Sequence, residues 1–579
     1  MIDIKENEQL SVLNHSCAHL LAQAVKNLYP QAKFWVGPVI TDGFYYDIDI
    51  DGVTITEEDL PKIEKEMKKI SKDGKKIIRR ELSKQEAYEL FADDPYKIDL
   101  LDNMDEDENV ISCYSQGDFI DLCRGPHVDN VKMMKYFKLL KTSGAYWKGD
   151  ANNKMLQRIY GICFETQEDL DHHLEMIEEA KKRDHRKLGK EMDLFMLSDF
   201  GPGLPFLLPD GFTLRRILED FWLDLHRENG YIVIDTPIML SQKLWETSGH
   251  WEHYKDDMFI IEADEGTYAI KPMNCPGAIL VYNNTLHSYR ELPLRYAELG
   301  HVHRNEASGA LTGLFRVRGF TQDDAHIMLM ESQIEEEVAR ILDIYDQIYS
   351  VFSLNYAIEL STRPEKFIGE IEVWNEAEKA LEKACLKTGR QFKVNPGDGA
   401  FYGPKLDFKL TDSLGRIWQC GTVQLDMQLP GRFNCQYVAE DGSKKTPVMI
   451  HRACFGSLER FMGIILENYA GIFPLWLAPK QFTVIPVNPL VHGQYAKNLT
   501  EKLAAEGFRV ICDDRNEKLG YRIREAQLKK NPIQIVIGDA EVENKTVTIR
   551  RHGDKKSETL SLEQFIKDTK HEIQTKGLE

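Results

Sequence analysis

Two runs joined by a polar turn constrain this chain more than any other part of it. RYAELGHVHRNE (Arg295–Glu306) and RVRGFTQDDAHIM (Arg316–Met328) each alternate apolar and polar residues, the period of an antiparallel strand. Between them lies EASGALTGLF, polar and glycine-containing. A hairpin of this kind carries Arg304 and Glu306 on one arm, Arg316 beyond the turn, and Gln322, Asp324 and His326 on the other. Guanidinium forks facing carboxylates suit a nucleoside triphosphate, because a fork grips phosphate oxygens in pairs and a carboxylate accepts from an adenine amino group. A ladder of surface salt bridges would use the same residue types.

A second cluster has its own chemistry. IKPMNCP (Ile270–Pro276) reads as a strand ending near Cys275, His326 ends another strand, and His451 closes a third, PVMI, ahead of a helix running from Arg452. One thiol and two imidazoles suit Zn(II), and three protein ligands leave a coordination position open for substrate. The three lie far apart in sequence, unlike a zinc finger, so satisfied core residues are the competing reading.

Further upstream, LSVLNHSCAHLLAQAVKNLYP reads as an amphipathic helix with His15 and His19 one turn apart on one face. DLCRGPHV places Cys123 and His127 around a Gly-Pro turn. By spacing alone, these two pairs form a four-ligand metal site.

Length and charge bound the rest. A chain of 579 residues exceeds one core and implies three or four domains. The formal charge of −20 argues against indiscriminate polyanion binding but leaves room for local basic patches. Ten cysteines without a paired framework fit a reducing, cytoplasmic setting. MIDIKENEQL has neither a basic flank nor an apolar core, so a signal peptide and a membrane span are not expected. QEDLDHHLEMIEEAKKRDHRKLGKEMDL reads as a solvent-exposed connecting helix, and the segment after PLWLAPK as a small α/β domain with a mixed sheet.

Taken together, KPMNCPG, HRNEASGALTGLFRVRGFTQDDAH, WQCGTVQLDMQLP and HRACFGSLERF closely resemble the signature stretches of the threonyl-tRNA synthetases, class II aminoacyl-tRNA synthetases. The resemblance runs in order from about residue 10 to about residue 560. It implies an α+β multidomain chain: an editing domain (1–165), a connecting helix (166–195), a class II antiparallel-sheet catalytic domain (196–476) and an α/β anticodon-binding domain (477–579). The implied partners are ATP, L-threonine, tRNA(Thr) and a second copy in a homodimer, with the GPGLPFLL…DTPIM segment at the dimer interface. The implied cofactors are one Zn²⁺ per subunit and Mg²⁺ carried with ATP.

Residue roles follow from the same resemblance. Arg304 would hold the α-phosphate, Glu306 the adenine amino group, Arg316 and Arg460 the γ-phosphate, with Gln419 in the same site. Gln322, Asp324, Tyr402 and Lys405 would surround threonine, whose amino and hydroxyl groups would meet zinc on Cys275, His326 and His451. His250 would face the terminal ribose of tRNA and relay a proton; a helix-capping histidine is the alternative. His15, His19, Cys123 and His127, with Tyr46, Lys97 and Asp121, resemble the editing pocket that removes misattached serine without a metal, against the reading from spacing. Asn516, Arg524, Lys530, Glu541 and Arg550 match anticodon-contacting positions, and Arg551 could add a phosphate contact.

The need for two sites has a physical basis. A centre that binds the substrate hydroxyl rejects valine by about 10⁴-fold or more, whereas serine lacks only a methyl, worth about 10–200-fold. The chain departs from the family at Ala278, where histidine is common, and at Lys530, where arginine is familiar; the resemblance also starts beyond a small N-terminal domain that many relatives carry. A synthetase for another amino acid and a noncatalytic RNA-binding regulator are the competing functions. The thiol–imidazole triad argues against the first, and the presence of both Arg304 and Arg460 against the second.

Overall fold

A computed structural model describes residues 4–104, 110–150 and 152–577, which form two compact units meeting in the chain between Glu179 and Ala180. The first unit opens on the helix Glu8–Leu28, started by Asn7, whose side chain accepts from the Leu10 N–H at 3.0 Å. One face of this helix packs Leu13, Cys17, Leu20 and Leu21 with Phe44, Ile48, Ile159 and Ile162 of an antiparallel sheet. The helix is not one-sided, as its apolar spacing suggested: burial extends almost all round it from Asn14 to Val25. Asn14 is accommodated there because its amide bonds the backbone of Leu10 and Cys163 at 2.9 Å. A separate three-stranded sheet (Ile77–Ser83, Val110–Gln116, Phe119–Leu122) leads into the turn that holds Cys123 and His127. Gly125 in that turn has φ +74°, and a side chain there would stand 2.2 Å from the Tyr114 hydroxyl.

The second unit is built on an eight-stranded sheet, ordered Ile232–Val233, Leu294–His303, Gly319–Leu329, Val448–Ser457, Ile417–Asp426, Lys405–Thr411, Asn355–Ser361 and Phe392–Asn395. All neighbours are antiparallel except the two edge pairs. Helices Pro209–Glu228, Ile334–Val351 and Leu458–Asn468 share a core with Ala325, Ile327, Leu425 and Ile450 of the sheet. Because strand side chains alternate, Gln322, Asp324 and His326 project to the opposite face.

One irregularity shapes that face. Pairing between Gly319–Leu329 and Val448–Ser457 shifts register between Gln322 and Asp324, a bulge that takes backbone amides out of the ladder. The buried Asp323 carboxylate accepts from the N–H groups of Cys454, Phe455 and Gly456 at 2.8 to 3.0 Å and from Trp222 Nε1 at 3.2 Å. One side chain thereby satisfies three amides that would otherwise be buried without partners.

The last hundred residues carry a mixed five-stranded sheet, ordered Val510–Cys512, Phe482–Pro486, Ile533–Ile537, Thr546–Arg551, Glu558–Ser561. The first three strands are parallel and the last two antiparallel. The strand Glu558–Ser561 and the helix Asp539–Asn544 go beyond the elements expected from sequence.

Four local expectations need correction. The strand before Cys275 stops at Ile270, and Cys275 opens a helix to Tyr282; Pro272 lacks a ladder donor, and Pro276 sits in the first helical turn, where it is favoured. His451 does not close its strand, which runs through to Ser457 with the Asp323-capped bulge; the helix begins at Leu458, with Ser457 capping Arg460. Likewise His326 sits inside its strand, not at its end. The connecting segment is two helices, Gln167–Arg183 and His185–Glu191, broken at Asp184, whose carboxylate caps the second; Leu170, His173, His185 and Leu188 are buried, not solvent-exposed.

Candidate functional site

A cavity of ≈ 540 Å³ opens on the free face of the eight-stranded sheet. Its wall brings together Arg304, Glu306, Arg316, Gln322, Asp324, Tyr402, Lys405, Gln419 and Arg460 with Cys275, His326 and His451. Arg304 and Glu306 lie just past the end of their strand, and Arg316 returns to Glu306 at 2.8 Å. Tyr402 donates to Gln424, and Lys405 Nζ sits 3.0 Å from Asp407, which also receives Gln419 Nε2 at 2.7 Å. Among the described residues, Gln322 Oε1 and Arg460 Nε are buried without a protein partner, an expensive state unless a ligand satisfies them. Burial pushes the Asp324 carboxyl up to about 7, opposed by the amide of Asn274 at 2.7 Å.

Within this wall, the ligand atoms of Cys275, His326 and His451 lie within 4.8 Å of one another, and all three residues are buried. Strand register brings the two histidines together, since His326 is paired directly with His451. His451 Nε2 meets Asp426 Oδ2 at 2.8 Å, so the N–H points at the carboxylate and the Nδ1 lone pair points at Cys275 Sγ, 3.1 Å away. That is the arrangement of a metal-binding imidazole oriented by an outer carboxylate. Burial raises the Cys275 thiol well above its ordinary range and lowers His326 well below its own, which keeps the His326 lone pair available; a bound cation would reverse the thiol's preference. Three neutral-nitrogen and sulfur donors converging in a buried site fit Zn(II).

His250 is fully buried and outside the cavity wall, with Nδ1 2.8 Å from Ser248 Oγ and Nε2 3.1 Å from the sulfur of Met273, which does line the cavity. Burial, foremost, and nearby cationic groups lower its pKa to about 3. Ala278 is buried in the helix that Cys275 opens. Sequence reading missed Asp426, Asp407, Gln424, Met273 and Phe315. Asp426 stood inside a quoted motif, but its partnership with His451 depends on two strands being adjacent.

The first unit gathers the second histidine–cysteine set. Cys123 Sγ lies 3.3 Å from His15 Nε2 and 3.2 Å from His127 Nε2, and His127 Nδ1 lies 3.1 Å from Ser16 Oγ. Asp121 holds the rest: it meets Lys97 Nζ at 2.6 Å, lies 3.7 Å from His19 Nε2 and accepts from Tyr46, all of them buried. Desolvation dominates the titration here, lowering His15, taking His19 well down, taking His127 to about 2 and raising Cys123 to about 11. All seven residues read from the sequence therefore join one contact network.

In the C-terminal sheet domain, Asn516 and Arg524 are exposed on the loop and helix after Val510–Cys512. Glu541 is committed locally, accepting from Gly538 N–H at 2.9 Å and Thr548 Oγ1 at 2.6 Å. Arg550 Nε donates to Asp554 O at 2.8 Å and Arg551 pairs with Glu572 at 2.6 Å. Lys530 is set apart: it takes a left-handed φ of 58° after the helix and lines a small crevice with Met192 and Asp210.

Comparison with known proteins agrees with this architecture. Residues 259–469 match the tRNA synthetase class II core domain (G, H, P, S and T), residues 481–571 an anticodon binding domain, and residues 111–160 the threonyl and alanyl tRNA synthetase second additional domain. The chain is 54% identical to the threonine–tRNA ligase of Desulforamulus reducens, over all of this chain and 91% of the relative, and 51% identical to that of Clostridioides difficile, over all of this chain and 90% of the relative. The crystal structure of the RNA binding domain of threonyl-tRNA synthetase from Cryptosporidium parvum aligns at a TM-score of 0.65 and 44% identity, covering 67% of this chain and 98% of that one. With that identity sustained along its whole length, the chain belongs to the threonine–tRNA ligases, the threonyl-tRNA synthetases of class II.

Proposed function

We propose that the reaction of this family is divided between the two pockets. The chain activates L-threonine with ATP and transfers the threonyl group to the 3′ end of tRNA(Thr), and a hydrolytic pocket in the first unit clears seryl-tRNA(Thr). The observation that carries this reading is that one cavity receives Arg304, Arg316 and Arg460 together with the thiol–imidazole triad.

Arg304 neutralises charge growing on the α-phosphorus as the threonine carboxylate attacks, and Arg316 and Arg460 hold the departing pyrophosphate with Mg²⁺. Glu306 accepts from the adenine amino group. Gln322, with its unpartnered oxygen, Asp324, Tyr402 and Lys405 orient the amino acid, and Gln419 is held beside them by Asp407. Cys275, His326 and His451 would hold Zn²⁺, one per chain, which when bound supplies a Lewis-acidic site for the amino and hydroxyl groups of threonine. His250 lies behind Met273 and serves the ribose proton once that side chain makes way.

In the first unit, Cys123 and the three imidazoles form a neutral surface beside the Asp121–Lys97 pair. That is a setting for positioning water at an ester, which needs no metal. Asn516, Arg524, Glu541 and Arg550 contact the anticodon, with Lys530 and Arg551 at phosphates.

An apolar, half-exposed stretch comprising Phe206, Phe212, Ile232, Val233, Ile238 and Met239 supports a homodimer, since one chain leaves this surface open to water. Among the described residues no helix is long and apolar enough to cross a membrane, which together with ten free cysteines supports a cytoplasmic setting. The deciding experiment is ATP–pyrophosphate exchange: threonine dependence is expected, exchange driven by another amino acid would point to a sibling synthetase, and no exchange to a regulator.

A further inference from the structure

A third group of ligand-type residues, Asp184, His185 and Glu467, lies outside both pockets. His185 is 1% exposed and both ring nitrogens are engaged. Its Nδ1 meets Glu467 Oε1 at 2.7 Å, and its Nε2 accepts the Leu314 N–H at 3.0 Å. No lone pair is left for a cation. Glu467 instead sets the tautomer, because a carboxylate acceptor at Nδ1 requires the proton there and leaves Nε2 free to accept. Glu467 also accepts from the His185 N–H at 2.8 Å and from Arg416 at 2.6 Å, so it is itself held in place.

What Nε2 holds is the tip of the turn that presents Arg316. Thr312 to Arg316 close on themselves: Phe315 N–H donates to Thr312 O at 2.8 Å and Thr312 N–H to Arg316 O at 3.1 Å. Gly313 has φ +51°, and a side-chain carbon there would stand 2.1 Å from His185 Nε2. The imidazole also packs on Phe315, ring centroids 4.0 Å apart, and Phe315 in turn packs on Trp418 at 4.6 Å. Phe315 and Arg316 both line the cavity. The Arg316 side chain is 58% exposed and, among the described residues, pairs with Glu306 alone, so its placement depends on the turn beneath it.

We propose that His185, from the helix that follows the break at Asp184, is a positioning residue for the nucleotide. It pins the Thr312–Arg316 turn so that Phe315 and Arg316 are held in the ATP-binding wall before ATP arrives. The inference rests on the nucleotide role of Arg316 proposed above.

The test is steady-state ATP–pyrophosphate exchange with the full chain carrying His185→Ala, His185→Gln, Gly313→Ala, His185→Ala together with Gly313→Ala, or Arg316→Ala. His185→Ala should raise the KM for ATP about tenfold, the loss of one buried hydrogen bond with its packing, while the KM for threonine stays within about twofold. Glutamine, whose Oε1 can still accept from Leu314, should return it to within about threefold of the parent. Gly313→Ala should give the same rise, and less than an additive rise when combined with His185→Ala. An equal rise in both KM values, no rise, or no rescue by glutamine would overturn the proposal. If Arg316→Ala raises the KM for ATP and His185→Ala does not, only this inference fails; if neither does, the nucleotide role of Arg316 fails with it.

Discussion

The chain builds two histidine–cysteine clusters from the same side chains, yet their surroundings differ. In the second unit the Cys275–His326–His451 set joins two neighbouring strands to a helix start, and a carboxylate from outside, Asp426, orients His451 so that its free nitrogen faces the sulfur. In the first unit the sulfur of Cys123 is already met by His15, His127 and the Gly125 N–H, and His127 is held through its other nitrogen by a hydroxyl. The carboxylate there, Asp121, is spent on Lys97 and Tyr46. The two clusters share their ligand types; what sets them apart is what the ligands' other atoms touch, a carboxylate at His451 and a hydroxyl at His127.

The largest effect that tests this contrast is loss of the Cys275–His326–His451 triad. His451→Ala should lower threonine-dependent exchange by at least about 10³-fold and remove bound zinc by elemental analysis, because a buried substrate hydroxyl loses its partner. Cys123→Ala should leave exchange and zinc content unchanged; zinc lost from that variant instead would merge the two clusters into one kind.

Next in size is editing. His15→Ala or Cys123→Ala should slow seryl-tRNA(Thr) clearance by about 10²-fold or more with charging intact, in the range for a lost positioning or proton-transfer group. Unchanged clearance would remove the pocket's assignment.

Asp426→Asn probes the outer carboxylate and should weaken zinc affinity by about 10–100-fold, measured by competition with a chelator. Asp121→Asn should leave zinc affinity alone. Equal effects from the two would show that the carboxylates play no distinguishing role.

The smallest effect concerns acid. The folded-state pKa of His127 is depressed to about 2, against 6.5 when unfolded. Its contribution to stability is complete above pH 6.5 and is lost as pH falls below that value, because the unfolded chain then takes up a proton the folded pocket refuses. The slope is up to about 1.4 kcal/mol per pH unit. Corrected for the pH dependence of the intrinsic exchange rate, hydrogen exchange of the Glu8–Leu28 helix in the full chain should therefore accelerate between pH 6.5 and 5 more than exchange in the C-terminal sheet. Equal acceleration would mean that His127 is not held neutral.

Much of this organisation is legible in the residues alone. The hairpin of Arg295–Glu306 and Arg316–Met328 can be read because strand alternation is a local property, and it forms as Leu294–His303 paired with Gly319–Leu329. The helix carrying His15 and His19 is equally readable from its apolar run; its capping Asn7 was not read. The path through Cys275 escapes such a reading because a proline two residues past Ile270 ends one element and another just after Cys275 starts the next, and apolar spacing registers neither. In the connecting segment, charge dominates the composition and points to solvent; the few residues that bury, His185 among them, show themselves only through partners 129 and 282 positions away.

The sequence by itself determined which chemical groups the chain possesses, their local periodicity, and the order of motifs that marks the family, since each of these depends on near neighbours. Only the tertiary structure decided which of those groups share a cavity, which nitrogen of His451 and His185 carries the proton, and which carboxylate serves a histidine and which a lysine. Those outcomes are set by register between strands and by burial, and both exist only once distant segments are packed side by side.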